Sequence, residues 1–235
     1  MPRVWDAYLT AQDKIVDGVR SRGRFGFGER PALLLIDLYR AVFGDAPVAL
    51  PEAMNDWPSS CGLAAWEAVP HIQRLLAAAR AAQIPVFYST DMEMNATPLL
   101  SWSRGRTRGA GKPDSPEMAA RRLRMHEIID EVAPIAGELV IEKASPSCFS
   151  GTPLLSQLIA RGIDTILVGG ESTSGCVRAA VVDGCTARFN MIVAEECVFD
   201  RTEASHAINL FDMHQKYADV LPVDEIIAHL QQQKR

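Results

Sequence analysis

The chain has 235 residues, 48% of them hydrophobic and 23% charged, with a formal net charge of -5. That composition suffices for one substantial core and argues against global disorder, and the acidic balance argues against a nucleic-acid-binding surface. No apolar run reaches the roughly 18 residues of a membrane span, and residues 1–30, which carry Asp6, Asp13, Asp17 and Glu29, lack the apolar centre of a secretory signal.

Residues 5–19 have amphipathic helical spacing, and 20–30 are rich in glycine and arginine. Residues 1–30 are therefore expected to form an N-terminal arm that packs on the domain or on a neighbouring subunit. From residue 31 to 235 one domain is expected, because no linker interrupts it. Short apolar runs at 32–36, 86–88, 139–141, 165–168, 191–194 and 219–221 read as strands covered on both faces. Between them, 64–82, 117–131, 153–161, 176–187, 203–217 and 224–233 have helical spacing. Strand–helix alternation of this kind implies an α/β fold: a doubly wound, six-stranded, mostly parallel sheet flanked by helices in three layers. Residues 45–62 and 95–115 read as long irregular loops, a feature usual for lids and binding segments.

In such a sheet, ligands gather at the carboxyl ends of the strands. Asp37 closes the first apolar run, where a carboxylate needs a partner; a helix cap and a structural ion pair are the competing explanations. Lys143 follows the third run at the same rim, where an ordinary exposed lysine is the alternative. Cys176 ends Gly169-Gly170-Glu171-Ser172-Thr173-Ser174-Gly175-Cys176, at the start of a helical stretch. A thiol there is expected to have its thiolate favoured by the helix N-terminus and by a nearby cation, the alternative being a buried core cysteine.

The other four cysteines (Cys61, Cys148, Cys185, Cys197) lack that context. The odd count and the lack of any C-x-x-C argue against a disulfide framework and for a reducing, cytoplasmic setting. The run from Gly105 to Lys112 fails as a phosphate loop, since Pro113 stands where serine or threonine is needed. Asp91-Met92-Glu93 has no histidine nearby, so no metal site is expected.

Four strings in order carry a family resemblance: Leu-Leu-Leu-Ile-Asp-Leu; Val-Ile-Glu-Lys with the following Ser-Cys-Phe-Ser-Gly-Thr-Pro-Leu; Gly-Glu-Ser-Thr-Ser-Gly-Cys-Val-Arg-Ala-Ala; and Ala-Glu-Glu-Cys-Val-Phe-Asp-Arg. Together they resemble the isochorismatase-like cysteine hydrolase superfamily, most closely its N-carbamoylsarcosine amidohydrolase branch. The resemblance implies a catalytic Asp37–Lys143–Cys176 triad and a cis peptide at Ser172–Thr173. It implies an oxyanion hole from the backbone N–H groups of Thr173 and Cys176, and an Arg201 that grips a substrate carboxylate. Metal-binding members carry Asp-x-His after the second strand, which Asp91-Met92-Glu93 lacks.

The function expected is cofactor-free hydrolysis of a small, carboxylate-bearing amide or N-carbamoyl compound through a thioacyl-enzyme, with release of ammonia. The alternatives are a maleamate-, nicotinamide- or biuret-type amidase, or a non-catalytic binding or assembly protein on the same fold. A small-molecule partner and a homodimer or homotetramer are expected, with no nucleic acid and no membrane.

Overall fold

The computed structural model describes residues 3–20, 23–92 and 115–232. Six strands form one sheet: β1 (Pro31–Ile36), β2 (Val86–Asp91), β3 (Leu139–Lys143), β4 (Thr165–Glu171), β5 (Asn190–Phe199) and β6 (Asp219–Leu221). Every pairing is parallel, and the spatial order is β3-β2-β1-β4-β5-β6. The order reverses between β1 and β4, and the crevice at their carboxyl ends is where doubly wound sheets bind ligands.

The helices in chain order are α1 (Ala11–Arg20), α2 (Arg40–Phe43), α3 (Leu50–Asp56), α4 (Leu63–Ala81), α5 (Pro116–Arg124), α6 (Leu154–Ala160), α7 (Arg178–Thr186), α8 (Glu203–Lys216) and α9 (Val223–Gln232). The pleat of β1 divides the core in two. Leu33 and Leu35 pack with Ile72 and Leu75 of α4 and with Ile226 of α9. Leu34 and Ile36 pack with Leu158 of α6, Val181 of α7 and Leu210 of α8. Burial of all six β1 residues explains its unbroken apolar run.

Several boundaries differ from the sequence reading. Strands β2 and β5 run on through Ser89-Thr90-Asp91 and Glu195-Glu196, because hydrogen bonding to neighbours holds polar residues in a strand as readily as apolar ones. The segment expected as irregular at 45–62 contains α3, which starts with Pro51 in its first turn, a position suited to proline. The helix expected over 117–131 stops at Arg124, since the chain then returns to the sheet: Tyr39 and Ile128 form an antiparallel bridge, and Ile129 N–H donates to the Leu38 carbonyl at 3.0 Å. Most of the expected 95–115 loop lies outside the described residues.

The start of the arm packs on the domain. Trp5 is buried under the Arg3 guanidinium, and Arg3 donates to the Val220 carbonyl at 2.7 Å. Further along, Gly28 N–H donates to Thr165 Oγ1 at 2.8 Å. Among the described residues no helix is long and apolar enough to cross a membrane.

Candidate active site

Four strand ends build the site. Asp37 follows β1 with φ +57°, in the left-handed region that costs an ordinary residue of order 1–3 kcal/mol and persists where the surroundings enforce it. Its N–H donates to the Ser89 carbonyl at 3.0 Å, and Ser89 Oγ donates to Asp37 Oδ1 at 2.9 Å. These two bonds to β2 turn the carboxylate into the crevice, where its side chain is wholly buried.

Lys143, the last residue of β3, lies beside it. Its side chain is 1% exposed, so the ordinary surface lysine is ruled out. Lys143 Nζ is 2.9 Å from Asp37 Oδ2, 3.0 Å from Asp91 Oδ1 and 3.6 Å from Cys176 Sγ. The Asp37 contact is an ion pair whose angle leaves Oδ2 without a well-directed hydrogen bond from any described residue. Oδ2 therefore has room for another proton. Asp91, read in the sequence only as half of a failed metal motif, is thus a third charged member of the cluster. It sits at the end of β2 and accepts from Tyr39 Oη at 3.2 Å.

Cys176 lies in a five-residue π-type turn, Thr173–Val177, that leads into α7. The path to it needs glycine at 170: φ is +122°, and a Cβ would come 2.0 Å from the Ile36 carbonyl oxygen. β4 and β1 can thus run side by side up to the point where both leave the sheet. The cis peptide joins Glu171 to Ser172, one bond earlier than the expected Ser172–Thr173, because β4 continues through Glu171 and the chain departs there. The turn is pinned from β5 and α8. Ser174 N–H and Oγ reach Asp200 Oδ2 at 2.8 and 2.7 Å, and Thr173 Oγ1 bonds His206 Nδ1 at 2.8 Å. The sequence reading assigned neither residue a role: Asp200 stands in the fourth quoted string only as the neighbour of Arg201, and His206 meets Thr173 through the approach of α8 to the turn.

The protonation pattern corrects one expectation. Lys143 does pull the Cys176 thiol down, but burial, and secondarily the Asp37 carboxylate, push it up more strongly, so the resting group is a neutral thiol. The helix N-terminus and one cation do not outweigh desolvation beside two carboxylates. Asp37 itself is pushed up to about 6, by burial against the pull of Lys143. Lys143 is raised above the usual lysine range, its neighbouring carboxylates outweighing burial. At neutral pH the site therefore holds a carboxylate base, an ammonium and a protonated nucleophile in contact.

Arg201, expected to grip a substrate, stands just past β5 and is already engaged. Its Nη1 is 2.7 Å from Glu171 Oε1, and its Nη2 donates to the Ser59 carbonyl. Glu171 is buried and is pushed up to about 7 by desolvation, with Arg201 pulling the other way. The ion pair that Arg201 makes is with neither Asp200 nor Glu203, its sequence neighbours. No group of three or more metal-ligating side chains occurs among the described residues.

A parallel sheet wound in this order, with its polar groups converging where the order reverses, is that of α/β enzymes acting on small molecules at the strand ends. Residues 31–225 match the isochorismatase domain, and the chain belongs to that family of hydrolases. It is 34% identical over 208 residues to an N-carbamoylsarcosine amidase of an Arthrobacter species, covering 88% of this chain and 74% of the relative. It is also 34% identical over 213 residues to a maleamate amidohydrolase of Pseudomonas putida, covering 88% and 90%. Among solved structures, an N-carbamoylsarcosine amidase from Thermoplasma acidophilum superposes with a TM-score of 0.62 at 28% identity, covering 83% of this chain and 97% of that one. A cysteine hydrolase from Pseudomonas syringae shares the fold at a TM-score of 0.70 and 20% identity, covering 89% and 97%. Amide hydrolysis is the activity that the first three of these names share.

Proposed function

We propose that the protein is a cysteine amidohydrolase that cleaves a small amide or N-carbamoyl compound and releases ammonia through a thioacyl-enzyme. The observation that carries this reading is one ammonium in contact with a buried carboxylate and a cysteine sulfur, 2.9 and 3.6 Å away, at the switch point of the sheet. The thiol proton passes to Asp37 as sulfur attacks the carbonyl carbon. The oxyanion that forms is received by the backbone N–H groups of Thr173 and Cys176, each such donor being worth about 2.7–4 kcal/mol in comparable sites. Asp37 then gives its proton to the departing nitrogen, which leaves as ammonia. Water attacks the thioacyl carbon and loses a proton to the same carboxylate, and the thiol is restored.

Lys143 has two effects in this scheme. It keeps Asp37 ionised at neutral pH in spite of burial, and it lowers the cost of negative charge on sulfur during attack. No metal and no organic cofactor enters any step. The test is ammonia release across a panel of primary amides and N-carbamoyl compounds. Cys176→Ala is expected to abolish it with the melting temperature retained, and Asp37→Asn to abolish it with no covalent adduct on Cys176 detectable by intact-protein mass, since the thiol then has no base. Ammonia release that survives Cys176→Ala would overturn the assignment.

A further inference from the structure

Glu171 takes no part in the chemistry above, yet it is a buried carboxylate at the last position of β4. Its Oε1 lies 2.7 Å from Arg201 Nη1 and 3.8 Å from Cys61 Sγ. With Nη2 of Arg201 held by the Ser59 carbonyl, both terminal nitrogens of the guanidinium have partners inside the protein. An arginine that receives a ligand carboxylate does so by presenting two parallel N–H donors. Here one prong of that fork meets the Glu171 carboxylate and the other a backbone carbonyl.

The surrounding charge points the same way. Around the reacting groups stand four carboxylates, Asp37, Asp91, Glu171 and Asp200, against two cations, Lys143 and Arg201. A cleft of about 800 Å³ borders the site on the Arg201 and Cys61 side. It is lined by Glu67, Glu195, Glu196, Asp200, Glu203 and Glu225. Its arginines are already spoken for: Arg3 pairs with Glu195, Arg24 with Glu225 and Arg201 with Glu171. A cleft with an excess of one sign repels ligands of that sign.

We infer that Glu171 is a specificity-determining residue: by holding Arg201 as an internal ion pair, it makes the site select amides whose non-reacting end is uncharged or cationic, and disfavour those bearing a carboxylate. This inference rests on the amidohydrolase reading, and it replaces the carboxylate-bearing substrate expected from the sequence.

The experiment uses matched pairs that differ in that charge, at about pH 8, where Glu171 is ionised. The pairs are succinamate with its methyl ester, and N-carbamoylglycine with 2-hydroxyethylurea. Wild type is expected to favour the uncharged member of each pair in kcat/KM. Glu171→Gln is expected to raise kcat/KM about tenfold or more for the carboxylates, through KM and without a matching gain for the uncharged members. Glu171→Asp, which keeps the charge, should keep the wild-type preference. A purely structural role would lower turnover of both members alike. Preference for carboxylates in wild type, or no charge-selective change in Glu171→Gln, overturns the inference and leaves the amidohydrolase reading intact. Ammonia release from none of the compounds by any of these proteins overturns both. If Glu171→Gln does not fold, the wild-type preference alone decides.

Discussion

Replacing Lys143 with methionine removes the ammonium and keeps the length of an apolar stem. In the native site that ammonium is 2.9 Å from a wholly buried carboxylate. At an effective dielectric constant of about 20, their attraction is about 6 kcal/mol, an upper bound on the loss. Asp91 adds less, because its carboxylate is more than one-third exposed. Breaking one side of a buried pair costs about 3–5 kcal/mol, which in a chain of this size lowers the melting temperature by about 6–20 °C. The sign with pH follows from Asp37. Without its partner, its folded pKa rises further above the unfolded value of about 3.9, so the unfolded state binds fewer protons and stability falls as pH rises toward the folded pKa. The gap between wild type and Lys143→Met should therefore be wide near pH 8 and narrow near pH 5. Asp37→Asn with Lys143→Met should recover much of the loss, because no buried charge is then left alone. Thermal unfolding followed by circular dichroism at both pH values measures this. A deficit that does not change with pH and persists in the double variant would refute the reasoning and leave lost packing as the cause.

The base role proposed for Asp37, whose carboxyl is pushed up to about 6, predicts an acid limb in kcat/KM. Activity should fall as pH drops through about 6, and the limb should move upward in any Lys143 variant that retains measurable turnover; a flat profile from pH 5 to 8 would count against Asp37. Because the resting thiol is held protonated, iodoacetamide should label Cys176 slowly at neutral pH in the free enzyme, and rapid labelling would show a preformed thiolate instead. Gly170→Ala drives a Cβ to 2.0 Å from the Ile36 carbonyl oxygen at a φ that suits only glycine, so it should either fail to fold or melt far below wild type; a melting temperature within about 2 °C would contradict the close approach of β1 and β4.

The sheet was legible because β1, β4 and β5 are apolar wherever both faces are covered, and the candidate triad because Asp37, Lys143 and Cys176 each follow such a run. What escaped the sequence reading has a common cause. Asp91 carries the same positional signal as Asp37, but the polar Ser89 and Thr90 hide the last half of β2, so the strand seemed to end at Tyr88. Glu171 lies in a string of small residues that reads as a turn, whereas β4 continues through it. The partner of Arg201 is 30 positions away in sequence and meets it only because β4 and β5 are neighbours. Between Val168 and Gly170 the register of β4 with β5 shifts, so that Gly170 pairs with Val198 and Glu171 with Phe199. No local pattern reports such a bulge.

The position of β3 has one further consequence. Among the described residues it is an outermost strand paired on one side only, and two of its five residues are exposed. Edge elements open at lower free energy than the interior of a sheet. On the proposed mechanism, fraying of β3 would withdraw Lys143 while β1, β2, β4, β5 and β6 stay joined, so a copy would lose its chemical competence with most of its architecture standing. Heat or mild denaturant should then silence catalysis ahead of the cooperative transition, and inactivation marks the loosening of one margin rather than collapse of the whole.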